Sequence, residues 1–178
     1  MSEMGTNERV MVFVDVRNVL RAFDDDLQFC QVDINGMVRN LTNGRNMIRP
    51  YAYDGSPWSD GKGEGFHNHL RRCGFTMRLS GPYNPDEPRQ KGVDVNLATD
   101  MVLFAYADQY DIAILVSGDS DFVPAVEKVK LMGKKVEVAS FENGISASLR
   151  FSADRYHNLD DVPMMKLRSP RDSEEVSE

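Results

Sequence analysis

Two short apolar runs, Val10-Met11-Val12-Phe13-Val14 and Ile112-Ala113-Ile114-Leu115-Val116, constrain this chain more than any other feature. Neither alternates with polar residues, so neither suits a strand with one wet face. Runs of this length, rich in β-branched residues, suit strands buried on both faces of a parallel sheet. Both lead directly into acid: Asp15 follows the first, and Ser117-Gly118-Asp119-Ser120-Asp121 follows the second. A sheet buried on both faces needs helices on both, and the remaining sequence supplies them.

After Asp15 the chain turns into a helix near Asn18. Asp33 is an N-cap candidate, and Ile34, Met37, Val38 and Leu41 follow it at helical spacing. A strand is expected over Met47 to Tyr53, then a loop rich in Gly, Ser, Pro and Asp from Asp54 to Gly65. Phe66 to Cys73 reads as a helix stopped by Gly74, and Phe75 to Leu79 as a strand. Gly81 to Gln90 carries three prolines and is a loop. Val93, Leu97, Met101, Phe104 and Ala105 place a helix over Val93 to Tyr106. Beyond Ile112 to Val116, Pro124 opens a helix ending at Gly133, Val136 to Ala139 is a strand, and Ser146 to Tyr156 reads as a final helix. The expectation is an α/β three-layer sandwich around a central, mostly parallel sheet of about five strands. Residues 1–8 are expected to be flexible, residues 9–160 to form one domain, and residues 161–178 to be an acidic, disordered tail.

The whole chain of 178 residues carries a formal net charge of −7, which argues against a general basic coat for nucleic acid. Part of that excess lies at the ends, in Glu3, Glu8, Asp172, Glu174, Glu175 and Glu178. Two cysteines, Cys30 and Cys73, form no spaced pair with each other or with the three histidines, so neither a disulfide framework nor a zinc site is suggested. No stretch nears the roughly 18 apolar residues of a membrane span, and Met1 to Glu8 lacks the apolar core of a signal peptide. A cytoplasmic protein without membrane contact is expected, and a homo-oligomer is compatible with the sequence.

In a parallel α/β sheet the usable crevice lies outside the carboxyl ends of the strands. Asp15, Asp119 and Asp121 are expected at that rim, and Asp94, opening the long helix after the proline-rich loop, is placed to join them. Four hard oxygen donors suit Mg²⁺ or Mn²⁺ better than zinc. Each acid alone also fits an ordinary N-cap or turn. Their conjunction is what points to a cation, since two acids within Asp119-Ser120-Asp121 repel unless a positive charge is near. Asn18, Ser117 and Ser120 are candidates to orient the acids. Asp100 lies about 120° from Asp94 around a helix, so it is a structural or supporting acid.

Asp15-Val16-Arg17-Asn18, Lys91-Gly92-Val93-Asp94 through Asp100, and Val116-Ser117-Gly118-Asp119-Ser120-Asp121-Phe122 resemble, in this order, the NYN domain, in particular its LabA-like (DUF88) branch. The likeness runs from about Val10 to Leu159 and includes Gly133-Lys134-Lys135-Val136-Glu137-Val138 and the Ser148 to Tyr156 segment. The resemblance implies a PIN-like Rossmannoid fold and metal-dependent ribonuclease activity, with Asp15, Asp94, Asp119 and Asp121 as the catalytic, metal-holding acids. One departure is Val16 followed by Arg17, where the family usually has glycine after the first acid.

Single-stranded or structured RNA is the partner this implies. Arg17, Lys91 and Arg89 are candidates for phosphate contact and Trp58 for base stacking. Tyr51, Tyr53, Phe66 and His67 also cluster near the second strand's loop, although Tyr51 and Tyr53 alternate in a way that suits a core, and His67 and His69 suit a helix surface. Two alternatives remain: a non-catalytic RNA-binding or scaffold protein of the same fold, and a haloacid-dehalogenase-type phosphatase. The second lacks its usual second acid, because position 17 is arginine.

Overall fold

The computed structural model describes residues 7–21, 31–55, 62–81, 92–162 and 166–167. In chain order the elements are β1 (Arg9–Asp15), α1 (Val16–Arg21), β2 (Gln31–Val32), α2 (Ile34–Thr42), β3 (Asn46–Gly55), α3 (Lys62–Arg72) and β4 (Thr76–Ser80). There follow α4 (Val93–Tyr106), β5 (Ile112–Val116), α5 (Val123–Leu131), β6 (Lys135–Ser140), α6 (Ala147–Ser152), β7 (Arg155–Asn158) and β8 (Lys166–Leu167). Six strands form one sheet in the order β4-β3-β1-β5-β6-β7, with every pairing parallel. The short β2 and β8 pair antiparallel apart from it.

The uniform apolarity of β1 is explained by its place in the middle of that sheet. Val10, Val12 and Val14 point into one core, with Val19 of α1, Ile34, Met37, Val38 and Leu41 of α2 and Leu70 of α3. Met11 and Phe13 point into the other, with Leu97, Met101 and Phe104 of α4, Val126 and Val129 of α5 and Leu149 of α6. Both faces are therefore dry, and alternation between them leaves no position for a polar residue until Asp15. The second core is aromatic: Phe13 stacks on Tyr51 at 6.0 Å, and Tyr51 lies 5.2 Å from Phe104. Tyr51 and Tyr53 are thus core residues rather than stacking platforms. Among the described residues, no helix is long and apolar enough to cross a membrane.

The sheet has six strands where about five were expected, and the added one comes from the segment read as the end of a helix. α6 stops at Ser152 and Ala153 turns extended, at φ −73° and ψ 150°. Asp154 then accepts from the Val136 backbone N–H at 2.8 Å and pairs with Lys130 at 3.0 Å. Arg155–Asn158 is drawn onto the edge of β6, because satisfying that edge outweighs one more helical turn. β3 is longer than expected and contains Pro50, tolerated because β4 pairs with β3 only from Tyr51 onward. Val16, the departure from the family's glycine, is fully buried: α1 starts at once, and Val16 joins the first core.

A partly buried ion cluster ties the end of α2 to the far half of the sheet. Arg45 makes a two-pronged bond to Glu137 of β6 at 2.7 and 2.9 Å and also donates to the carbonyl oxygens of Leu41 and Thr42 at the end of α2. The Nε2 of His157 in β7 lies 2.7 Å from the same carboxylate. Burial alone would raise the Glu137 carboxyl, but the bonds from His157 and Arg45 override it and hold it down to about 2. A carboxyl depressed on folding contributes stability that is complete above its unfolded value and disappears as pH falls towards its folded one. Urea melts at pH 6 and pH 3 should therefore show wild-type protein losing on the order of 1 kcal/mol over this interval, solvent screening of the partly exposed partners allowed for, and Glu137→Gln showing a smaller pH difference from a lower starting stability.

Candidate active site at the switch point of the sheet

From β1 the chain builds outward through β3 and β4, then returns through α4 to place β5, β6 and β7 on the other side. The order reverses between β1 and β5, and in open α/β sheets the crevice outside the carboxyl ends of strands at such a point is where ligands bind. Asp15 ends β1 and Ser117 directly follows β5, level with it because Val14 pairs with Val116.

These two segments are stitched together. Asp15 accepts from the backbone N–H of Asn18 at 3.1 Å and from the Ser117 hydroxyl at 3.2 Å. The Asn18 side chain does not reach back to Asp15: its Oδ1 accepts from the Gly118 N–H at 3.0 Å. The Ser117 hydroxyl also accepts from the Asp119 N–H at 3.3 Å. Asn18 and Ser117 thus support the rim, while Ser120 is exposed and begins a single 3-10 turn, Ser120–Phe122. Gly118 is buried at a close backbone crossing and its carbonyl accepts from Ser146 N–H at 2.9 Å.

Asp15 is buried, and that burial pushes its carboxyl up to about 6; the negative charge of Asp94 adds to the rise, while the Asn18 N–H, the Ser117 hydroxyl and Arg21 oppose it. Asp94 stands in the first turn of α4 and is exposed. Its carboxyl is also raised, by desolvation first and then by the charges of Asp119 and Asp121, with Arg21 opposing. The four sequence-selected acids are therefore electrostatically coupled through Asp94. α4 is set at this rim by Gly92, whose φ of 98° opens the helix, and by Asn96, which donates to the Ser80 hydroxyl at the end of β4 at 2.7 Å.

The donor set fits a hard cation in chemistry, since it consists of carboxylates whose charges already oppose one another. Among the described residues no three His, Cys, Asp or Glu are arranged as a complete group for a metal ion. Asp94 and Asp121 are exposed, so packing does not fix their side chains. Asp119 has an ordinary structural task as well, because its Oδ1 accepts from the Asp121 N–H at 3.0 Å and caps the turn.

Asp100 faces elsewhere. It accepts from the Tyr53 hydroxyl at 2.9 Å and from Arg78 Nε at 3.1 Å, bonds that tie α4 to β3 and β4. Arg17 donates Nε to Asp54 at 3.0 Å. Trp58, Arg89 and Lys91 lie outside the described residues. His67 is not on a helix surface: it is buried, with Nε2 2.9 Å from Asp54, because α3 turns that face onto the sheet. Sequence reasoning overlooked Arg21 and misplaced Asp54 and His67. For Arg21 the signal was present, since it follows Arg17 by one helical turn; Asp54 had been assigned to a loop, which concealed its place at the end of β3.

An α/β sandwich with an acidic rim at the switch point defines the class. A family model of the NYN domain matches residues 9–160, and the chain belongs to that family, which is in general a metal-dependent nuclease fold. The chain is 27% identical over 163 residues to the low amplitude and bright protein LabA of Synechococcus elongatus, covering 86% of this chain and 85% of that protein. It is 30% identical over 147 residues to an uncharacterized protein of Methanocaldococcus jannaschii, covering 82% of this chain and 53% of that one. The crystal structure of a protein of unknown function from Vibrio parahaemolyticus superposes with a TM-score of 0.76 at 29% identity, covering 93% of this chain and all of the other.

A methyl group on residue 118 would overlap the Gly144 carbonyl oxygen and come within 2.7 Å of its carbon and 2.8 Å of Ser140 Oγ. Gly118→Ala should accordingly cost about 1 to 3 kcal/mol of stability in urea melts. It should also weaken whatever the rim binds, because the Asn18 bond to Gly118 shifts with the backbone.

Proposed function

We propose that this protein is a metal-dependent ribonuclease that hydrolyses phosphodiester bonds of single-stranded RNA at the rim formed by Asp15, Asp94, Asp119 and Asp121. The observation that carries the reading is the meeting of acids from three separate chain segments: Asp94, raised first by desolvation and then by the charges of Asp119 and Asp121, adds to the rise that burial gives Asp15 at the end of β1. Such mutual repulsion at a switch point is relieved by a divalent cation, Mg²⁺ or Mn²⁺. When bound, the cation supplies an activated water and neutralises charge on the phosphate oxygens. Asp15 is the fixed member of the set, oriented by Asn18 and Ser117. Asp94, Asp119 and Asp121 complete it, and no side-chain nucleophile is required.

RNA is proposed to run past Arg17, Lys91 and Arg89, with Trp58 as a stacking surface. The net charge of −7 does not oppose this, because carboxylates that hold a cation attract rather than repel a phosphate. A second reading, an RNA-binding or scaffold protein without turnover, draws on the lack of a ready-made group of three acids among the described residues. The phosphatase alternative has less to stand on: the chain belongs to the NYN family, and Arg17, where the phosphatase needs an acid, is bonded to Asp54.

Incubation with labelled single-stranded RNA and DNA in Mg²⁺, Mn²⁺ or EDTA tests the proposal. Cleavage of RNA should need the cation, be abolished by Asp119→Asn, and leave 5′-phosphate and 3′-hydroxyl ends. Full activity in EDTA, or 2′,3′-cyclic phosphate ends, would overturn the carboxylate assignment, and binding without cleavage would favour the scaffold reading. Millimolar Mg²⁺ or Mn²⁺ should also raise the melting temperature, because a cation held by the native state alone stabilises it. The rise should be lost in Asp15→Asn.

A further inference from the structure

The β1–β3 register pairs Asp15 with Tyr53, so Asp54 stands one residue beyond Asp15 on the adjacent strand. It is fully buried. Its Oδ1 accepts from the Gly55 N–H at 2.8 Å and from Arg17 Nε at 3.0 Å, and its Oδ2 lies 2.9 Å from His67 Nε2. An ionised carboxylate only accepts, so His67 donates from Nε2. The other ring nitrogen, Nδ1, is buried with no hydrogen-bond partner among the described residues. An acid and an imidazole with an orphaned nitrogen are costly to enclose, and apolar residues of similar volume would fill the same space without that cost.

What the pair reaches outside the core is Arg17, whose side chain is 38% exposed. Arg17 lies two residues after Asp15 on α1, and Arg21, one turn later on the same helix face, is exposed and offsets the charges of Asp15 and Asp94. A guanidinium is planar, so a bond at Nε fixes the plane in which its remaining donors lie.

We propose that Asp54 and His67 are positioning residues that set the Arg17 guanidinium beside the acidic rim, where Arg17 together with Arg21 takes a phosphate of the substrate strand. This inference rests on the ribonuclease reading. His67 holds one carboxylate oxygen so that the other faces Arg17, and the phosphate is thereby placed at a fixed offset from Asp15. The chemistry recognised is a phosphodiester backbone and carries no base specificity.

The test is the affinity of a fluorescein-labelled single-stranded RNA, measured by anisotropy in EDTA so that no cleavage intervenes. Circular dichroism and melting curves check the fold of each variant. Arg17→Ala should weaken binding about tenfold, the loss of one charge-assisted bond. Asp54→Asn should weaken it by a similar factor, and the double variant should bind no worse than Arg17→Ala alone, since both remove the same contact. His67→Gln, which keeps an N–H for Asp54, should retain affinity that His67→Leu loses. Additive losses in the double variant, or unchanged affinity in Asp54→Asn, would overturn the positioning role. Should Asp54→Asn fail to fold, equal binding by His67→Gln, His67→Leu and wild type overturns it instead. Wild-type protein that binds no RNA in EDTA and does not cleave it in Mg²⁺ or Mn²⁺ overturns the ribonuclease reading and this inference with it, an outcome distinct from an intact wild-type affinity that ignores Asp54.

Discussion

Asp15 is held below the rim of the sheet by donors from two segments, and the more distant, Ser117, lies 102 residues away in the chain. A buried carboxylate at the end of a central strand is tolerated because these donors meet it there. The same contacts fix the relative height of β1 and β5. Asn18 closes the other side of the junction by accepting from Gly118, which itself sits against the 144–146 backbone. Hydrogen bonds that stabilise the sheet junction therefore also define the floor of the candidate site.

Two dry faces make this possible. Because β1 and β5 contribute side chains to both cores, neither can slide without exposing apolar surface or moving Asp15 out of line with Ser117. Rigidity at the floor contrasts with exposure above it, where Asp94 and Asp121 face solvent. A site with one fixed and several adaptable carboxylates can accept a cation without requiring the apo protein to hold all four charges at coordination distance. The cost of concentrating like charge is lowered by Arg21, which opposes the rise of both Asp15 and Asp94.

The sheet holds a second buried polar system, on the same side as α1 and α3. Asp54 and His67 sit at the carboxyl end of β3, next to β1, and connect the core to Arg17. By contrast, the Arg45–Glu137–His157 cluster fastens α2 to β6 and β7 and serves the fold. Both are buried acids paired with an arginine and a histidine, and location distinguishes them: the first ends beside Asp15 at the switch point, the second at the end of α2.

Much of this was legible in the sequence because it is governed by local periodicity. The unbroken apolarity of Val10–Val14 and Ile112–Val116 requires strands buried on both faces, the spacing from Val93 to Ala105 requires a helix, and acids directly after two strands must stand at their carboxyl ends. Pairing between distant segments was not legible. Arg155–Asn158 has too few residues to declare a strand and becomes one only because β6 offers an open edge. His67 lies on a polar helix whose inward face is chosen by packing, so its burial against Asp54 depends on where α3 docks. The sequence by itself determined which residues supply the acids and the strands that carry them, since those follow from neighbours a few positions apart. Only the tertiary structure decided which acids share a field, which is satisfied within the fold as Asp100 is by Tyr53 and Arg78, and which arginine is braced from below, because these depend on distances that chain order does not encode.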